Sequence, residues 1–107
     1  LLAEQDKNLD EALELARRAK EKMPDDPNVM DTLGGVYYKK GLYDMAIAEF
    51  GDALEKKPEN PAILYHLGMA YYQKGDKERA RKELQTALSI SETFMGAAEA
   101  KRILSGL

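Results

Sequence analysis

The chain predicts an all-α fold, a solenoid of stacked antiparallel helical hairpins. Three observations carry the prediction. The sequence matches itself at an offset of 34 residues: Pro27, Leu33-Gly34, Tyr37-Tyr38, Lys40-Gly41, Ala46 and Ala53-Leu54 return as Pro61, Leu67-Gly68, Tyr71-Tyr72, Lys74-Gly75, Ala80 and Ala87-Leu88. A period in this range is the mark of stacked helical units, each of which buries its apolar face only against its neighbours. Within each period the apolar residues recur at i, i+3, i+4 and i+7, the spacing of an amphipathic helix. The helix boundaries recur too, with Asp26-Pro27 and Asn60-Pro61 as starts and Gly41 and Gly75 as stops.

Leu1 to Gln5 is a short stub at the position of the end of a preceding helix. Asp6-Lys7-Asn8 falls in the turn slot, with Lys7 where later repeats have glycine. Asn8 and Glu11 have capping-box spacing, so a helix is expected from Leu9 to about Lys22, with Leu9, Ala12, Leu13, Ala16 and Ala19 on one face. Asp26 as N-cap and Pro27 at the first helical position start the next helix. It runs to Lys40 and carries Met30, Leu33, Gly34 and Tyr37 on one face. Two adjacent glycines cost a helix about 1 kcal/mol each. Such a cost implies a packing reason, and Gly34 is read as the point where two helices of one hairpin approach backbone to backbone. Gly41 supplies a left-handed C-terminal residue. The helix from Tyr43 to Lys56 then turns Ala46, Phe50, Ala53 and Leu54 inward.

The cycle restarts at Asn60-Pro61, burying Leu64, Leu67, Gly68 and Tyr71 before Gly75. Asp76 caps a helix ending near Ile90. Glu92 stands where Pro58 stood, and Thr93 to Gly96 breaks the chain. A last helix, Ala97 to Leu104, has one apolar and one polar face, as the end of a solenoid requires. The organisation is therefore one domain: a partial repeat over 1–26, repeats over 27–60 and 61–92, and a capping helix over 93–107.

Met30-xx-Leu33-Gly34-xx-Tyr37, then Ala46-xxx-Phe50, then Pro58 resembles the tetratricopeptide repeat, with a large apolar residue in place of the usual Trp. The resemblance covers nearly the whole chain. It implies a right-handed superhelix whose first helix in each hairpin lines a concave groove. The implied function is a scaffold that binds a peptide or helix there. Carried over position by position, the groove residues are Asn28, Asp31, Thr32, Gly35, Tyr38 and Lys39, then Ala62, Tyr65, His66, Met69, Tyr72 and Gln73. Tyr37 and Tyr71 take packing slots. Chaperone-type relatives grip a C-terminal carboxylate with Lys, Arg and Asn, but the matching places here hold Asp31, Gly35 and His66, so that clamp is absent.

Composition excludes several other classes. With 16 basic and 19 acidic residues the net charge is -3, which argues against general binding to a phosphate backbone. A nucleotide-reading helical repeat is thereby disfavoured. A regulatory or assembly segment of a larger protein, even of an enzyme, stays open. The chain starts at Leu1 without an initiator Met and reads as part of something longer, with no targeting peptide or membrane span. Absence of Cys removes disulfides and thiolate metal sites and leaves cytoplasm and periplasm both open. His66, the sole histidine, is one period and one residue from Asp31, but structural metal sites use several Cys or His ligands. No metal, cofactor or catalytic activity is expected. Carboxylate pairs such as Asp25-Asp26 sit at helix starts, where the macrodipole favours them. Finally, Leu1, Leu2, Leu9, Leu13 and Ala16 are expected to form an uncovered N-terminal edge and to pair two copies as a dimer. Exchange between chains is favoured if residues 1 to 22 run as one helix.

Overall fold

The computed structural model describes residues 2–107, with side chains from residue 7 onward. Among these residues are six helices: α1 (Leu2–Lys22), α2 (Pro27–Lys39), α3 (Tyr43–Lys56), α4 (Pro61–Lys74), α5 (Lys77–Ile90) and α6 (Ala97–Ser105). Their starts are set by local hydrogen bonds. The Asp26 carboxylate accepts from the amides of Asn28 and Val29 at 2.8 and 3.3 Å. Asn60 accepts from Ile63 at 3.1 Å, and Asp76 from Arg79 at 3.1 Å. Each satisfies amides that the first turn leaves without a partner. Both α2 and α4 end on a left-handed glycine, Gly41 at φ +78° and Gly75 at φ +98°. The next amide then reaches back to the helix, Leu42 N–H to Tyr37 O and Asp76 N–H to Tyr71 O, both at 2.9 Å.

The first helix departs from the expected turn. α1 is continuous through Asp6-Lys7-Asn8, and the Asn8–Glu11 capping box does not start a helix. The physical reason lies at Lys7. A helix-ending turn of the kind seen at Gly41 and Gly75 needs a left-handed residue, which costs an L side chain about 1–2 kcal/mol. No described residue other than glycine adopts positive φ.

Antiparallel hairpins α2–α3 and α4–α5 make the most extensive contacts, α3 bridges to α4, α1 packs on α2, and α6 lies against α5. Ala46, Ala53, Ala80 and Ala87 are fully buried and let the helices approach closely. At Gly34 the contact is not backbone against backbone. A Cβ there would stand 2.6 Å from the Phe50 ring, and one at Gly68 would stand 2.8 Å from the Leu84 side chain. Each glycine thus admits a large apolar side chain from the second helix of its hairpin. Phe50 and Leu84 are the largest fully buried side chains, each stabilising the fold by roughly 1.5–3 kcal/mol.

Register between hairpins shows a second repeat. Asp10 pairs with Lys40, and one period later Asp44 pairs with Lys74 at 2.5 Å. Both pairs are partly exposed, so they orient α1 on α2 and α3 on α4 more than they stabilise them. The proposed N-terminal edge needs correction. Leu13 and Ala16 are 8 % and 7 % exposed and belong to the core with Met30 and Leu33. They are covered within the chain and are not available to a second copy. Leu9 is half-buried, while Leu15 is 66 % exposed. Leu1 and the side chain of Leu2 lie outside the described residues.

Candidate functional site

The helix starts of α2 and α4 are equivalent by sequence, so the two helices run side by side with matching faces toward the same surface. Asp31 of α2 meets His66 of α4 at 2.8 Å between Oδ1 and Nδ1. Further along, Gly35, Tyr38 and Lys39 of α2 and Tyr65, His66 and Met69 of α4 surround an open cavity of about 230 Å³, with Phe50 of α3 at its floor. The His66 ring lies 5.5 Å from Phe50 and 5.6 Å from Tyr65, centroid to centroid. Tyr43 braces Tyr38 edge-on at 5.6 Å. Gly35 makes the space: a Cβ there would meet nothing within 4 Å.

Burial pushes the Tyr38 phenol above its ordinary value against the pull of the Gln73 side chain beside it, with the Tyr43 phenol adding to the rise. Burial likewise raises Tyr65, helped by the charge of Glu99. Both rings therefore stay neutral and offer a hydroxyl at the end of a rigid apolar body.

The C-terminal segment closes one end of the surface. Phe94 lies 5.9 Å from the Tyr65 ring. Gly96, at φ +104°, passes so near that ring that a Cβ would stand 2.5 Å from it. Tyr38, Tyr65 and Tyr72 pack around a cluster made by Met69, Leu84, Ala100 and Ile103. Glu99 and Arg102 form two hydrogen bonds, at 3.0 and 2.6 Å, and the guanidinium holds the Glu99 carboxyl below its ordinary value.

Of the residues singled out in the sequence, Gly35, Tyr38, Lys39, Tyr65, His66 and Met69 share the cavity. Asp31 joins them through His66, and Gln73 through Tyr38. Tyr72 sits with the α6 cluster. Asn28 and Thr32 are exposed on a separate cleft of about 200 Å³ beside Ala16, Ala19 and Val29. The sequence places Phe50 only in the core. The glycine pair at 34 and 35 was the available signal that its ring approaches the groove. The sequence places Glu99 and Arg102 only on the polar face of the capping helix. Among the described residues no group of three or more His, Asp or Glu side chains converges as a metal site.

The helices define the class: an all-helical, hairpin-repeat protein with a lined surface on the first helices of its hairpins. Family models agree. Residues 34–75 match a TPR repeat model and residues 61–94 match a tetratricopeptide repeat model, together spanning more than half of the chain. The chain belongs to the tetratricopeptide repeat family. Repeats of this family generally mediate protein–protein interaction, and the family is typically a non-enzymatic scaffold. No curated protein matches the chain. No described helix is long and apolar enough to cross a membrane.

Proposed function

We propose that the chain is an interaction module that holds a peptide segment of a partner protein along the surface of α2 and α4. Repeats over 27–60 and 61–92 would supply this surface, with 1–26 as a partial repeat and 93–107 as the cap. One observation carries the reading: residues from two successive repeats and the Phe50 ring converge on one open cavity. Neutral tyrosines, an adaptable methionine and hydrogen-bonding tips around an apolar hollow are the composition of a peptide-binding surface. Asp31 faces this surface where a carboxylate clamp would need a cation, so the ligand is an internal segment rather than a chain terminus.

Selection of random dodecapeptides displayed on phage tests the proposal. Binders should be lost on introducing Gln73→Arg, at an exposed position beside Tyr38. For a selected peptide, Tyr65→Ala should cost about 1–2 kcal/mol, the range of an interface hot spot. Binders indifferent to both substitutions, or retention of RNA on filters at low salt in their place, would refute it.

A further inference from the structure

We propose that the cavity beside Gly35 is an anchor pocket for one large apolar side chain, leucine, methionine or phenylalanine, from a partner peptide that carries a carboxylate next to the anchor. The proposal rests on the groove reading above and adds the ligand's chemistry to it.

The period supplies the first argument. Gly35 and Met69 are equivalent positions, 34 residues apart. In the second hairpin Met69 is 8 % exposed and packs in one cluster with Leu84, the counterpart of Phe50. In the first hairpin glycine leaves the equivalent place empty, with nothing within 4 Å of where a Cβ would stand. The space that one repeat fills with its own methionine is open in the other. Size agrees: an apolar cavity of about 150 Å³ already accepts a benzene-sized group, and this one is about 230 Å³. Tyr38, Tyr65, Met69 and Phe50 make the apolar part of the lining, which Gly35, Lys39 and His66 complete. A polar group placed against Phe50 and Met69, away from the hydrogen-bonding tips at the rim, would lose its water without gaining partners.

Charge supplies the flank. Asp31 is held by His66 and Glu99 by Arg102. Lys39 lines the cavity, is exposed, and has no ion-pair partner among the described residues. A carboxylate one or two residues from the anchor would meet its ammonium group at the rim, where solvent still reaches.

The phage-displayed dodecapeptides provide the test, now read for sequence. Selected peptides should share one Leu, Met or Phe with Asp or Glu within two residues. Alanine in place of that anchor in a synthetic peptide should weaken binding roughly tenfold or more. Gly35→Leu, which fills the cavity, should do the same, and Lys39→Glu should weaken binding severalfold. Circular dichroism confirms that each variant is folded, and the anchor substitution needs no change to the protein. Peptides without a shared apolar anchor, or no selected peptide above background, would overturn the proposal. So would a folded Gly35→Leu protein that binds as tightly as the original. If that happens while Gln73→Arg abolishes binding, the groove reading stands and the pocket alone falls. Concentration-dependent dimerisation relieved by Gly35→Leu would give the pocket to a second copy and overturn the assignment to a partner peptide.

Discussion

Two neighbouring glycines on one helix should respond in opposite directions to the same methyl group. In Gly35→Ala the new Cβ meets nothing within 4 Å, so only the helix-propensity gain remains, about 0.8–1 kcal/mol in favour of the folded state. In Gly34→Ala the same gain applies, but the Cβ would stand 2.6 and 2.7 Å from two carbons of the Phe50 ring. Carbon atoms in good contact stay about 3.5–4.0 Å apart, so the ring must retreat by about 1 Å. Phe50 is 1 % exposed, with no open side to retreat into except the cavity beneath Tyr38 and Tyr65. Overpacking of this kind costs about 1–3 kcal/mol, so the two variants should differ by that amount. At about 4–8 °C per kcal/mol for a chain near this size, the melting temperatures separate by several degrees or more. Urea titrations followed by circular dichroism give the free energies directly. Trimming the ring with Phe50→Leu should recover part of the loss in the Gly34→Ala background. Stabilities within about 0.5 kcal/mol of each other, the level of an ordinary surface change, would show that Phe50 does not sit over Gly34.

Gly34→Leu and Gly68→Leu should each cost several kcal/mol, on the order of the upper end of overpacking penalties, in the same titrations. Gly96→Ala combines a disfavoured backbone angle with a clash on Tyr65, so amide exchange across α6 should accelerate while α2 and α3 stay protected. Burial raises the Glu83 carboxyl above its unfolded value, with Lys82 opposing. Its penalty is therefore fully present above the folded pKa and absent below the unfolded one. Glu83→Gln should melt higher at pH 7, and the gap should close as the pH falls through the carboxylate range; a gap that widens on acidification would contradict the burial. Leu13→Glu, at a core position, should lower the stability by about 2 kcal/mol or more, as uncompensated buried charge does. Leu15→Glu, at an exposed position on the same helix, should change it by about 0.5 kcal/mol or less; equal losses in thermal melts would place Leu15 in the core as well.

Helix boundaries in the middle of the chain were legible because they are written in local chemistry. Asp26-Pro27, Asn60-Pro61, Gly41 and Gly75 each act within one turn, whatever packs around them. The α1 boundary was not, because a turn slot inherited from the period has no force once Lys7 occupies it. The Asp31–His66 contact followed from repeat arithmetic, since equal helices laid side by side bring residues about one period apart together. Phe50 was harder. A buried aromatic in a packing slot gives no local sign that one edge of its ring borders a cavity; that depends on two glycines in another helix. The placement of Glu99 and Arg102 depends on the turn from Ser91 to Gly96, which breaks the period and so has no template earlier in the chain. The uncovered edge expected at Leu13 and Ala16 failed for a related reason. The spacing leaves this face uncovered, although α2 packs against it.

Packing and recognition are not independent here. Gly34 lets the Phe50 ring enter from the α3 side, and Gly35, the next residue, leaves the groove side of the same region open. The ring is thus a wall of the core and a floor of the cavity at once. A peptide that fills the cavity binds only the folded arrangement, so it must stabilise the fold by RT ln(1 + [L]/Kd), about 2.7 kcal/mol at a hundredfold excess over Kd. That stabilisation must shrink in Gly34→Ala, because a displaced ring has only the cavity to move into. Gly35→Ala should also weaken the peptide by taking up part of the same space, yet it raises the stability of the free protein. A variant that is more stable and binds less tightly, one residue from a variant that is less stable and also binds less tightly, separates the role of the ring in the core from its role in the pocket.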